Sequence, residues 1–101
     1  MATTTKALAR TAATTNTATT LYTTPAGSSA VVTNIVVSNT AASTSTVTIG
    51  LNGVNLIPTT SIAANTVAMF DIKQVIAASQ TITGGASTTA VNIHISGVEI
   101  A

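Results

Sequence analysis

The sequence predicts a small all-β domain, a single antiparallel β-sandwich or jelly roll of about seven to eight short strands with an N-terminal extended arm. Of the 101 residues 46% are apolar, and these are mostly Ala, Val, Ile and Leu. With one Tyr, one Phe and no Trp, the core must consist of small branched side chains, which suit a pleated surface. Turn-forming residues separate the apolar segments at roughly 8–12-residue spacing, which is typical of such folds.

The first sixteen residues differ from the rest of the chain. Residues 1–16 contain no Val, Ile or aromatic residue, but they hold two of the three basic side chains, Lys6 and Arg10. The segment between these two is far shorter than the ~12–15 residues that an isolated helix needs. We therefore expect an arm at 1–16 that becomes ordered only against a partner, followed by a sandwich domain at 17–101. A disordered tail without a role is the alternative.

The next segments predict the first two strands of the domain. Residues 17–23 form the first strand, and a turn that contains Pro25 and Gly27 ends it. In residues 30–38, apolar side chains occupy both odd-numbered and even-numbered positions, and therefore both faces of a strand. This pattern predicts a central strand that is covered on each side.

A β-hairpin follows in the sequence. Residues 44–51 alternate between apolar and small polar side chains, and the dipeptide Asn52-Gly53 is a strong signal for a two-residue hairpin turn. The returning strand is expected at 54–57, where Pro58 closes it.

Four further segments complete the predicted strand order. Residues 66–72 predict a strand, whereas 73–79 fit either a short strand or one helical turn. A brief strand at 80–83 is expected to end in a turn at the pair Gly84-Gly85.

The last strand is predicted at residues 90–100. Apolar residues alternate inward and polar residues outward as far as Gly97. Beyond it, Val98 and Ile100 occupy the apolar positions, so we expect a bulge at this glycine.

Charge is the scarcest property of the chain. Five residues are charged and the net charge is +1: Lys6, Arg10, Asp71, Lys73 and Glu99. Phosphate binding needs several clustered cations, so we expect no nucleic-acid partner. Without cysteine there is no disulfide, thiol nucleophile or zinc cluster, and no stretch approaches ~18 apolar residues, so we expect no membrane partner. A nearly neutral chain favours association with other proteins.

Candidate chemical sites are correspondingly weak. No G-x-S-x-G motif accompanies Asp71 and His94, and two carboxylates are too few for a calcium site, so we expect no catalytic, cofactor or metal site. Asp71 and Lys73 are interpreted as a surface pair. His94 has polar neighbours and is interpreted as a solvated or hydrogen-bonded side chain; a histidine ring around a symmetry axis, stacked or metal-bridged, is the alternative. Rows of threonine leave ice binding as a further alternative, although their spacing is irregular.

Three segments carry a resemblance to a known class of proteins. They are LYTTPAGSSAVVTNIVVSNT at 21–40, SIAANTVAMFDI at 61–72 and SGVEI at 96–100. In this order, on a short chain without cysteine, they resemble small virion proteins of tailed bacteriophages. The resemblance covers most of residues 17–101. It implies a β-sandwich module of a capsid, tail or fibre, and it carries over no catalytic residues.

The resemblance and the small size together lead to a functional expectation. We expect a non-enzymatic structural virion protein, and we favour a capsid decoration (cement) protein that binds the major capsid shell in many copies and stabilises it. The alternative is a tail or fibre component, or an adhesin, of a tailed phage. The expected partners are the major capsid protein or another virion protein and further copies of the chain, with a trimer favoured.

The expected location and contact residues follow from this hypothesis. The protein would be made in the host cytoplasm and would lie on the outer surface of the capsid. Lys6, Leu8 and Arg10 of the arm are the expected partner-binding residues, because they are the basic and large apolar side chains of that segment.

Overall fold

The computed structural model describes residues 3–100, and all regular secondary structure in this range is β-strand. Residues 1 and 2 of the predicted arm and residue 101 of the predicted domain lie outside it. In chain order the strands are β1 (Thr3–Ala12), β2 (Thr20–Thr23), β3 (Ser29–Asn39), β4 (Ser45–Leu51), β5 (Val54–Ile62), β6 (Thr66–Phe70), β7 (Gln74–Ile76), β8 (Thr81–Ala86) and β9 (Val91–Ile100). The prediction of an all-β chain is confirmed.

The strands form two antiparallel sheets. The five-stranded sheet has the order β1-β9-β3-β6, and β7 pairs with β3 on the same side as β6 but further along the strand. The four-stranded sheet has the order β2-β8-β4-β5. The apolar inner faces of the two sheets share one core, so the architecture is that of a small β-sandwich.

The core consists of β-branched side chains from the middle strands of both sheets. Ile35 of β3 and Ile93 of β9 are completely buried, and so are Ile49 of β4 and Ile82 of β8 in the opposite sheet. Burying one such side chain contributes about 1.5–3 kcal/mol relative to leaving it in water. Because alternate residues of a strand point to opposite faces, the period-2 pattern places these side chains together.

A buried amide links the ends of the two sheets. The Nδ2 group of Asn39, at the end of β3, donates hydrogen bonds of 3.0 Å to the backbone carbonyls of Ser43 and of Ile62 in β5. Its Oδ1 atom accepts a hydrogen bond from the backbone N–H of Ala41. Asn39 therefore holds the connection from β3 to β4 against the opposite sheet without leaving a polar atom unpaired.

The predicted hairpin between β4 and β5 is confirmed, but its second strand is longer than expected. Asn52 and Gly53 have φ angles of 51° and 78°, as a type I′ turn requires. The strand does not end at Pro58 but continues to Ile62. β5 pairs only with β4, so this proline lies in an edge strand, where a missing N–H breaks no ladder.

The glycine pair in β8 does not form the predicted turn. Both Gly84 and Gly85 lie within the strand, which continues to Ala86. A Cβ atom on Gly85 would lie 2.5 Å from the carbonyl oxygen of Asn16, in the loop that leads from β1 to β2. Because Gly85 has no side chain, this loop can pack against β8. The loop occupies the first residues of the predicted strand, so β2 begins only at Thr20.

The predicted bulge near Gly97 is present, but in the neighbouring strands. The register shifts between Ala7 and Ala9 of β1, and again between Val32 and Asn34 of β3, on both sides of β9. Within β9 the alternation continues through the glycine, so Val98 and Ile100 lie on the outer side. The expectation of a phase change in β9 was therefore wrong: the glycine serves the close approach of β3 instead.

The N-terminal segment differs from the expectation of an arm that orders only against a partner. Residues 3–12 form β1, which is extended and pairs with β9 of the same chain from Thr3 opposite Ile100 to Ala12 opposite Asn92. Backbone hydrogen bonds do not depend on Val or Ile, so a strand of Thr and Ala can occupy the sheet edge. The structure also resolves the ambiguous segment 73–79, which contains the short strand β7.

Replacing Gly97 with alanine is expected to destabilise the fold. The added Cβ atom would lie 2.2 Å from the backbone carbonyl oxygen of Val31 and 2.9 Å from Cδ1 of Leu8. Relieving such a clash requires a backbone shift that costs about 2 kcal/mol, which lowers the melting temperature of a domain of this size by roughly 10 °C. Thermal unfolding followed by circular dichroism measures the change. The neighbouring Ser96→Ala variant is the control and should melt close to the wild type; equal melting of Gly97→Ala and wild type would contradict the packing.

Candidate functional site

The candidate site is the outer face of the five-stranded sheet, which is the side turned away from the four-stranded sheet. No other described element covers this side. The sequence predicted that β3 would be covered on both sides, and this is wrong: only its inner side is fully buried, whereas Val31 and Val36 on the outer side are half-buried. An apolar central strand with one open face leaves a surface that a partner can cover.

Large apolar side chains are concentrated at one edge of the outer face. Val67 and Met69 of β6 have exposed fractions of 58% and 79%, and Val75 of β7 has 72%. Met69 is directly opposite Val36, and Val75 is directly opposite Val31. We call these five residues, which lie along the edge of the face formed by β3, β6 and β7, the apolar strip. Strips of this kind are typical of protein contact sites.

The part of the outer face formed by the first half of β9 is polar, whereas Val98 and Ile100 at the other end of this strand add half-buried apolar side chains. Asn92, His94 and Ser96 of β9 lie on it, and each is half-buried. His94 lies between Val36 of β3 and Arg10 of β1, which is exposed. Among the described strands of this sheet, Arg10 is the one charged residue on the outer face, and Asp71 and Lys73 lie in the connection between β6 and β7. Neither β9 nor its neighbours place a carboxylate there.

A depression lies on this face where the two bulges flank β9. It has a volume of about 500 Å³, is open to solvent, and is lined in part by Ala7, Thr33, Ser96 and Val98. Thr33 donates a hydrogen bond of 3.1 Å from Oγ1 to the carbonyl oxygen of Ser96. Thr5, Lys6 and Gly97 complete the lining, so the depression combines hydroxyl, methyl and backbone groups with one lysine at the β1 side.

The outer face of the four-stranded sheet has the opposite character. Its exposed and half-buried side chains are largely hydroxyls, including Thr46 and Thr48 of β4 and Thr83 of β8; we call it the threonine face. Thr48 and Thr59 of β5 are joined through their Oγ1 atoms at 3.1 Å. Gly85, opposite Thr48, interrupts the threonine rows. The rows therefore do not form the regular ladder that ice binding would need.

The three expected arm contacts, Lys6, Leu8 and Arg10, are not brought together. Leu8 is 6% exposed and packs in the core of its own chain. Lys6 is on the inner side of β1 and forms an ion pair of 3.1 Å with Glu99. Arg10 is on the outer face, opposite His94. The bulge at Leu8 shifts the alternation and separates the two basic side chains onto different sides of the sheet.

A small polar cluster joins the two sheets beside the core. Glu99 of β9 accepts hydrogen bonds from the Tyr22 hydroxyl of β2 and from the Lys6 ammonium of β1. The hydrogen bond from Tyr22 and then that from Lys6 hold the pKa of Glu99 below its ordinary value. Burial and the neighbouring carboxylate raise the pKa of Tyr22 far above its ordinary value. Tyr22 and Lys6 are 77 and 93 residues away from Glu99 along the chain, so no local sequence pattern indicates these contacts.

The remaining ionisable side chains of the described residues include one further pair. Lys73 and Asp71 form the predicted surface pair, with Nζ and Oδ1 3.3 Å apart and both side chains mostly exposed. Within residues 3–100 no three His, Cys, Asp or Glu side chains are grouped so that they could hold a metal ion. This part of the chain also contains no helix long and apolar enough to cross a membrane.

Comparisons of the chain with protein-family models, with curated proteins and with solved structures find no match in any of the three.

Stability is expected to fall in acid through Glu99. Its pKa is lowered on folding, so the stabilisation is present above its ordinary value of 4.5 and is lost as the pH falls through the lower folded value. The wild type should therefore show a lower urea midpoint at pH 3 than at pH 7, and Glu99→Gln should show a smaller difference.

The matched control for this measurement is Asp71→Asn. It removes the other side-chain carboxylate, which is 87% exposed in its pair with Lys73. Because exposed pairs contribute little, this variant should keep the acid dependence of the wild type. An unchanged acid dependence in Glu99→Gln would contradict the role of the cluster.

Proposed function

We propose that this chain is a non-enzymatic structural virion protein of a tailed phage, and specifically a capsid decoration (cement) protein. The observation that carries the proposal is the exposure of Val67, Met69 and Val75 on a nearly uncharged sheet face. Covering a valine or methionine side chain gains about 1.5–3 kcal/mol. A protein that leaves three such side chains exposed on one face is suited to a role in which another protein of an assembly covers them.

The difference between the two outer faces supports a module that contacts protein on one side and solvent on the other. The outer face of the five-stranded sheet presents apolar and neutral groups, whereas the threonine face presents hydroxyls that hydrogen-bond to water. A decoration protein has the same requirement, since one side contacts protein and the other faces solvent. Repetition on a symmetric lattice then multiplies a modest contact from each copy.

The choice of a phage particle rests on the resemblance of the sequence. Residues 21–40 comprise most of β2, the turn and all of β3, and residues 96–100 are the end of β9. The resembling segments are therefore strands that meet in the fold, because β3 and β9 pair along their length. This placement supports one shared module rather than unrelated fragments.

The positions of the aromatic side chains favour a shell protein over an adhesin. Sugar-binding sites commonly stack an exposed aromatic ring on the ligand. Here Tyr22 is 9% exposed and bonded to Glu99, and Phe70 is half-buried against the core. A tail or fibre component that binds no glycan is the alternative, and the following experiment distinguishes it from a capsid decoration protein.

Cryo-electron microscopy of purified particles of the encoding phage tests this proposal. We expect density for the sandwich at regular positions on the outside of the capsid, in a number of copies set by the lattice. We also expect particles that lack the protein to release their DNA at a lower temperature than complete particles do. Particles to which the purified protein has been added back are the control and should regain the original release temperature.

Two results would contradict the capsid assignment. Density confined to the tail or its fibres would favour the tail component instead. Absence of the chain from purified particles would refute the virion proposal as a whole.

A further inference from the structure

We propose that the outer face of the five-stranded sheet is an interface between copies of this chain, with the apolar strip along one side of the contact. This inference rests on the proposed function in that both assign the chain to an assembly. It goes further because it names the occupant of the face, a second copy, and the residues that meet it.

The charge distribution on the face supports a second copy as the occupant. The apolar strip contains no charged residue, and Arg10 lies on the far side of the sheet, with β9 between its strand and β3. Copies that meet over the strip bring no like charges into contact. A strongly acidic or basic partner would find no charges of opposite sign to pair with on the strip. Asp71 and Lys73, in the connection between β6 and β7 beside the strip, pair with each other, so this segment carries no net charge.

The area of the face is sufficient for a specific contact. The sheet is four strands wide at any level, because β6 and β7 share one side of β3. With ~4.8 Å between strands and ~3.3 Å per residue along strands of about ten residues, the face covers on the order of 600–700 Å². Specific interfaces bury roughly 600–1,000 Å² on each partner, so one such contact uses nearly all of the face.

The sheet edge beside the strip favours contact through side chains rather than through extension of the sheet. β6 and β7 have five and three residues, and the segment with Asp71 and Lys73 interrupts them. Short, interrupted and charged edges are those that resist pairing with another strand. The depression at Ser96 and Val98, which Lys6 also lines, provides a recess on the same face for side chains of the facing copy.

Sedimentation velocity of the purified full chain over a range of concentrations tests the interface without any capsid present. We expect the wild type to associate reversibly and the mass of the complex to correspond to two copies, because the same face of each copy takes part in one contact. Val75→Lys and, independently, Met69→Lys should raise the dissociation constant about 30-fold or more, because each buries a charge in the apolar strip.

Val54→Lys is the matched control. Val54 is 70% exposed, as Val75 is 72% exposed, but it lies in β5 of the opposite sheet. This variant should associate like the wild type, and thermal unfolding should show that all three variants retain the fold. A wild type that stays monomeric at high concentration would overturn the inference, and so would association that neither Val75→Lys nor Met69→Lys weakens.

The inference and the proposed function can fail separately. A monomeric chain that still occupies regular capsid positions would refute the interface and leave the decoration role in place. A chain that associates through the strip but is absent from particles would refute the decoration role and leave the interface in place.

Discussion

The contact between the two sheets is the interaction on which the rest of this structure depends. With five charged residues in the chain, ion pairs can supply little of its stability, and buried β-branched side chains must supply most of it. The contact is built around Ile35 and Ile93 in one sheet and Ile49 and Ile82 in the other, all completely buried. Within one sheet, Gly97 lies where the backbone of β3 approaches β9 too closely for a Cβ atom.

The same alternation that builds the core also creates the candidate site. Each core residue of β3 has neighbours that point to the other side of the sheet, and two of these, Val31 and Val36, are apolar. Beside them β6 and β7 add Met69 and Val75, so apolar groups accumulate on a face that no described element covers. The threonine face avoids this exposure because the outward residues of β4 and β8 are threonines and glycines. This difference between the two faces is the physical basis for the proposed role in an assembly.

Much of the strand content follows from local patterns, and the errors have identifiable causes. The hairpin at Asn52 and Gly53 was predictable because its φ angles are a property of the two residues themselves. Pro58 was interpreted as a strand end because edge and central strands look alike in a sequence, and only the pairing shows that β5 is an edge. Residues 1–16 were predicted to be an arm outside the sandwich domain because they contain no Val or Ile. This segment joins the sheet because β9 has a second edge whose backbone groups need partners.

By itself the sequence determined the all-β class, most strand positions and the near absence of charge, because these depend on residue type and period-2 spacing. Only the tertiary structure decided which apolar residues remain outside. Val67 and Val37 are alike as residues, but one is exposed and the other is buried, because the strand order and register assign them to different faces. The separation of Lys6 from Arg10, and the meeting of Glu99 with Tyr22, depend in the same way on a bulge and on long-range pairing. Pairing between distant segments is set by the packing of the whole chain, which no local pattern encodes.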